Sequence, residues 1–429
     1  MIQNSNTTSL KKLNNEALIR KKSIEISRSK PVVTVKHNRR YTTDQLQKAL
    51  TAIKFGMPIA KASRAYNIPA STIRDHMKGN KRRVGRPSEL TRAEQNVISD
   101  TFSQILSWGY ELDYFEIRKI IKNYLDMNGK TVERFRNNYP GRDFVTSFMT
   151  RNNLRNRQAK NTLPSRPTRK MKAIKLAIDK ECEYISDFYL RLEAVGDIER
   201  ENLFNFGEII IPIDPNMREV IYYRGTRKIE LVRDHIKNST HVSVMVCGSA
   251  TGEWLPPFVC YKSPHLCPSW TLGGPLGTIY SNTELGWFNM NTFQQWFECI
   301  LLAYTKDRPG KKLVIGDSIS SHFSPHLVQL ARQNSVCFAY LSRKAFNLKQ
   351  PLDHIFKSCE TAWKAILSKY LKETHQGNST IMVHFPKLLN DLWNQLNPDM
   401  ANFLINGFKA TGLYPRNSNA PLQLLHSEI

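Results

Sequence analysis

Ser71, Thr72, Arg74 and Lys78 crowd one short stretch of the chain, and their chemistry is that of DNA contact. Short hydroxyls meet phosphate oxygens or base edges, and an arginine reaches further into a groove. Lys61 adds a cation just upstream, and Lys81-Arg82-Arg83-Val84-Gly85-Arg86-Pro87 follows directly downstream. A Gly-Arg-Pro centre between basic residues suits an extended path in a narrow minor groove, where the negative potential is enhanced. Such a run also serves in nuclear import, and taken alone it reads as a solvated linker too.

The surrounding pattern predicts the elements that would position these groups. Thr43 can cap a helix whose apolar residues Leu46, Ala49, Leu50 and Ile53 fall at i, i+3, i+4 and i+7. Gly56 stops it, and Pro58 opens a second helix with Ile59, Ala62 and Tyr66 along one side. After the turn Asn67-Ile68-Pro69, a third helix from Ala70 to Lys78 is expected to bury Ile73 and Met77 and to end at Gly79. Three short helices with a tight turn between the last two make a helix-turn-helix. This domain spans 41–80, after a polar, basic tail over 1–40 and before a basic Gly-Arg-Pro linker over 81–90.

A second helical block, 91–160, follows from amphipathic segments at Leu90 to Trp108, Tyr114 to Leu125 and Gly141 to Asn153. It reads as another DNA-binding domain, with Arg151 and Arg155 as contact residues. From Arg151 to Lys175 nine basic residues pass without an acid, so 161–197 reads as a basic connector and helix.

Charge separates this half of the chain from the rest. Of 62 Lys and Arg against 37 Asp and Glu, residues 1–175 hold 37 basic and 13 acidic, while the remainder holds 25 and 24. A strongly basic part joined to a neutral one suggests a polyanion-binding module on a separate globular domain. Double-stranded DNA is the expected partner; a membrane is not, because no apolar stretch approaches about 18 residues and no signal-peptide core opens the chain. Seven scattered cysteines, all after residue 181, fit free thiols in a reducing compartment. Cys260, His265 and Cys267 lie close in sequence but lack a second ligand pair at zinc spacing.

After about residue 198 the texture changes to apolar runs rich in β-branched and aromatic residues. A strand is expected from Asn202 to Phe206, and a hairpin from His241 to Cys247 and Trp254 to Lys262, turned by Ala250-Thr251-Gly252. Phe293 to Tyr304 reads as helix, Lys312 to Ile315 and Val336 to Leu341 as strands, and Lys357 to Tyr370 as helix. Strands first, then strand alternating with helix, predict an α/β sheet with helices on its faces.

These residues resemble the pogo/Tigger branch of the Tc1/mariner transposases and its domesticated relatives, which include centromere protein B and the jerky-like and Tigger-derived proteins. The resemblance runs from about 41 to 416. Ile68-Pro69-Ala70-Ser71-Thr72-Ile73-Arg74 resembles a Psq-type helix-turn-helix, and 88–160 a centromere-protein-B-type domain, with Phe144 of Gly141-Arg142-Asp143-Phe144 where a tryptophan is usual. Gly252-Glu253-Trp254-Leu255-Pro256-Pro257, Gln350-Pro351-Leu352-Asp353 and Phe408-Lys409-Ala410-Thr411-Gly412-Leu413-Tyr414-Pro415 resemble successive landmarks of a DDE nuclease domain. The resemblance implies a multidomain fold: all-α Psq-type and centromere-protein-B-type helix-turn-helix domains, then an α/β RNase-H-like DDE domain over 198–416 and a tail over 417–429.

In that family three acids hold two divalent metals for phosphoryl transfer. The resemblance maps them onto positions 207, 317 and 353. Asp317 and Asp353 are present, but the segment Asn205-Phe206-Gly207-Glu208 carries glycine where the first aspartate is expected. Glycine offers no ligand, and two carboxylates are a poor set for two ions that favour octahedral oxygen coordination. Glu208 is adjacent, so on a strand it faces the other way, and Asp214 is separated by an odd offset. Further departures are Ile209 and Ile210 where threonine and glycine are usual, and Leu341-Ser342-Arg343-Lys344-Ala345-Phe346-Asn347 ahead of the third acid. The expectation is a nuclear, sequence-specific DNA-binding protein with an inactive nuclease domain that is free to bind protein partners. It needs no cofactor; Mg²⁺ or Mn²⁺ would matter only to an active transposase, the alternative, and a non-specific nucleic-acid binder is the third reading.

Overall fold

The computed structural model describes residues 41–78, 88–110, 112–152, 154, 170–213, 222–223, 241–317, 322–341, 349–374 and 378–427. The chain divides into two compact units, Met1–Ser88 and Glu89–Ile429.

In the first unit, α1 (Thr43–Lys54), α2 (Ile59–Tyr66) and α3 (Ala70–Met77) close on a small core of Leu46, Ala49, Ala62, Ile68 and Ile73. The cap of α1 is Thr42 rather than Thr43: Thr42 accepts from the Gln45 N–H while the Gln45 side chain accepts from the Thr42 N–H. That reciprocal pair satisfies two otherwise orphaned donors, which a cap at Thr43 would not. Gly56 (φ 97°) ends the helix, and Asn67 (φ 54°) turns the chain in a left-handed conformation between α2 and α3. The expected burial of Met77 is not observed; it is 53% exposed. Ile73 already completes the small core, and Met77, one turn later, overhangs it.

The second unit begins with a helical block of α4 (Arg92–Ser107), α5 (Tyr114–Met127) and α6 (Arg142–Arg151). Thr91 with Glu94 and Asp113 with Glu116 form capping boxes that start the first two. Between α5 and α6, Asn137 and Asn138 both have positive φ and close a tight turn bridged by Arg136 and Tyr139. The long helix α7 (Lys170–Val195) leads into the sheet.

The strands are β1 (Leu203–Pro212), β2 (Tyr222–Tyr223), β3 (His241–Ser249), β4 (Phe258–Lys262), β5 (Ile279–Thr283), β6 (Lys312–Asp317) and β7 (Val336–Leu341), in the order β5-β4-β3-β1-β6-β7, with β2 beside β1. Antiparallel pairing joins β1, β3 and β4, and β6 and β7 run parallel to β1. A three-strand meander extended by two parallel strands is the RNase-H-like plan expected from the sequence. The expected end of β1 at Phe206 is corrected: the strand runs on to Pro212, paired with β3 from Phe204 onward, so Gly207 is mid-strand opposite Val246. The β-branched run Ile209-Ile210-Ile211 supports this extension.

Helices cover both faces. Ile185 and Phe188 of α7 pack on one face with α10 (Asp353–Thr374) and α11 (Asn378–Ala410), around Trp363 and Phe385. The other face carries α9 (Pro325–Gln333), the helical block, and α8, which comprises Met290–Trp296, a π-helical stretch Phe297–Leu302 and Ala303–Thr305. A last helix, α12 (Ala420–Ser427), follows the landmark at 408–415. The cysteines are free, and burial pushes the Cys359 thiol up to about 12, which keeps it protonated and inert.

Candidate DNA-contact and DDE sites

Helix α3 presents the predicted reading residues as the pattern requires. Ser71, Arg74 and Lys78 are exposed, Thr72 is half-buried, and Ile73 fills the core on the opposite side. Lys61 is exposed on α2. In the helical block Arg151 is exposed at the last position of α6. Lys81, Arg82, Arg83, Arg86 and Arg155 lie outside the described residues.

Positions 207, 317 and 353 come from three different elements. The parallel register pairs Leu203 with Leu313 and Asn205 with Ile315; continued by two residues, it sets position 207 beside 317. Asp317 is the last residue of β6 and pairs with Leu341. Asp353 opens α10, and its carboxylate accepts the Gln350 N–H at 2.7 Å, a bond that closes the turn just ahead of the helix.

Asn205, which the sequence reading did not single out, ties these elements together. It is fully buried. Its Nδ2 donates to the Ile315 carbonyl at 2.9 Å and to Gln350 Oε1 at 3.0 Å, and its Oδ1 accepts the Leu352 N–H at 3.0 Å. One side chain thus holds β6 two residues before Asp317 and the loop just before Asp353. The signal was present as a polar residue in a run of apolar ones, but sequence alone names no partners for it.

Glu208 offers no oxygen to this place. It is fully buried on the opposite face of β1, where it accepts the Phe288 N–H at 3.3 Å. Gly207 itself contributes no side-chain oxygen. Among the described residues no group of three or more His, Cys, Asp or Glu side chains is arranged to hold a metal ion, and this includes Cys260, His265 and Cys267. Asp214 lies outside the described residues.

The other landmarks are structural. Gly252 (φ 90°) turns β3 toward β4 so tightly that a Cβ there would lie 2.8 Å from the Ala401 carbonyl oxygen. Glu253 pairs with Arg308 at 2.6 Å, and the Trp254 indole donates to the Met400 carbonyl at 2.9 Å. Near the end of α11, Tyr189 of α7 donates to the buried Thr411 carbonyl. The Trp254 bond and the close approach at Gly252 fasten α11 to the β3–β4 connection, and the Tyr189 bond fastens the C-terminal landmark to α7.

Comparison with known families agrees with both halves. Residues 42–83 match the helix-turn-helix, Psq domain, and residues 239–410 match the DDE superfamily endonuclease. The chain thus holds a segment similar to the Psq helix-turn-helix ahead of one similar to the DDE superfamily endonuclease. No curated protein matches it significantly over its length. Among solved structures, the Mos1 strand transfer complex aligns at 11% identity over 85% of this chain and 96% of that one, with a TM-score of 0.27. The Mos1 mariner paired end complex with Mn aligns at 13% identity over 85% and 95%, also at 0.27. Among the described residues no helix is long and apolar enough to cross a membrane.

Proposed function

We propose that this is a nuclear, sequence-specific DNA-binding protein descended from a pogo-like transposase of the Tc1/mariner type, whose DDE domain has lost catalysis and serves as a scaffold for protein partners. The observation that carries the loss is Gly207: it lies mid-strand in β1, two residues past the last pair that β1 makes with β6, Asn205 with Ile315, where a three-acid site needs its first carboxylate. The residues present do not fit a pair of divalent ions. Gly207 supplies no oxygen and Glu208 faces the other side of the sheet, which leaves only the two carboxylates of Asp317 and Asp353.

The DNA-reading half of the proposal rests on the exposed set Ser71, Arg74 and Lys78 on α3, supported by the Psq match. Helices α4 to α6, with exposed Arg151, are read as a second DNA-contacting block of the centromere-protein-B type. Selection from a random duplex pool tests the proposal, with a Ser71→Ala/Arg74→Ala variant alongside. A recovered motif that the variant loses is expected. Salt-sensitive binding without any motif would replace it with a general nucleic-acid binder.

A further inference from the structure

The helical block is not a bead beside the DDE domain. We infer that the turn Trp108-Gly109-Tyr110 docks it onto the outer edge of β7, so that helices α4 to α6 and the sheet form one rigid body. β7 is the last strand of its sheet, and an uncovered edge offers unpaired N–H and C=O groups. Here the Tyr340 N–H donates to the Trp108 carbonyl at 2.9 Å. Tyr340 in turn pairs with Gly316, one residue before Asp317, so the dock is made at the sheet end that carries position 317.

Three further sets of contacts hold this turn and the helix α4 that leads into it. The buried Trp108 ring packs against Phe338 at 5.1 Å and Phe323 at 5.2 Å, while Tyr110 meets Phe323 and Tyr340 edge-on at 5.4 and 5.5 Å. Arg332 of α9 donates to the Gln104 side chain at 3.0 Å and to the Asp100 carbonyl at 3.3 Å. Gly109 (φ 83°) lies so close to Arg191 of α7 that a Cβ would fall 2.6 Å from its Nε, and Arg191 also reaches the Tyr340 carbonyl at 3.4 Å. Strand β7 and helix α7 thus grip the turn, and α9 holds the helix that leads into it. Among the described residues the buried Trp108 indole Nε1 has no hydrogen-bond partner, so the ring acts by packing and a phenylalanine can replace it.

The consequence is mechanical. Any ligand gripped by α6 is held at a fixed offset from the sheet end with Gly207, Asp317 and Asp353. That last step rests on reading α6 as DNA-contacting; the dock itself does not.

The test uses the full chain without DNA. Spin labels are placed at Ser147→Cys on α6 and Ala365→Cys on α10, both exposed positions, in a background where the exposed Cys299 and the partly exposed Cys182, Cys267 and Cys337 are changed to Ser. A single narrow distance is expected in the otherwise unsubstituted protein and in Trp108→Phe, and a broad one in Trp108→Ala. Hydrogen exchange at the Tyr340 amide should accelerate about ten-fold or more in Trp108→Ala while β6 amides stay protected. A broad distance with Trp108 in place overturns the dock, even if Trp108→Ala fails to fold. So does a Trp108→Ala protein with unchanged distance and exchange. Because no DNA is present, failure here leaves the DNA-reading proposal standing, and failure of that proposal leaves the dock.

Discussion

Asn205 accepts the Leu352 N–H at 3.0 Å and so fastens the middle strand of the sheet to the start of α10. Its amide nitrogen completes the tie to Ile315 and Gln350. Asn205→Ala should therefore leave a buried N–H and two buried acceptors short of a partner, at about 1–3 kcal/mol for each group left unsatisfied. Chemical denaturation of the two proteins reads this directly; a loss under about 0.5 kcal/mol would show that water or a neighbour replaces the amide.

Gly207→Asp should return a carboxylate to the place beside the end of β6. A buried, unpaired acid costs stability, so the variant should melt lower than the unsubstituted protein in a chelator. Saturating Mn²⁺ should then restore roughly 1–3 kcal/mol to the variant and little to the parent. Equal stabilisation of both would mean that the existing residues already bind the ion.

At the DNA face the two kinds of contact should separate. Arg74→Ala is expected to cost about 1–3 kcal/mol on the selected site and to relax specificity. Lys61→Ala should weaken all duplexes alike and reduce the salt slope by about one unit. Titrations at several salt concentrations distinguish the two, and indifference to both changes would remove α3 from the interface.

Glu94 gives the helical block a pH signature. Partial burial raises its carboxyl pKa, but hydrogen bonds from Lys130 and Thr91 outweigh this and leave it below the usual 4.5. A pKa depressed on folding stabilises above the unfolded value and is lost as pH falls through the folded one. Glu94→Gln should thus destabilise at about pH 7, and the difference should shrink below about pH 4. A pH-independent difference would locate the effect in the capping box alone.

The Psq helices were legible because each boundary is written locally. Gly56, Pro58 and Asn67 punctuate them, and only the cap, one residue off, and Met77 were misplaced. The sheet was legible as texture but not in extent. The strand expected to stop at Phe206 runs on, because pairing with β3 across nine residues overrides the local weakness of glycine in an isolated strand. Helix α11 went unread because Pro386 and Pro398 lie inside its 33 residues. Of the candidate site, the glycine at 207 could be read, but the partners of Asn205 are 110 to 147 residues away and belong to the fold. The dock at Trp108 was invisible for the same reason.

The most direct measurement mixes the full-length protein with its selected duplex, end-labelled, in Mg²⁺ and then Mn²⁺, and follows both strands on a denaturing gel. The account predicts a retained, sequence-dependent complex with both strands intact at every metal concentration. A strand break that requires the metal and disappears in Asp317→Ala and Asp353→Ala would contradict it and make this chain a working nuclease.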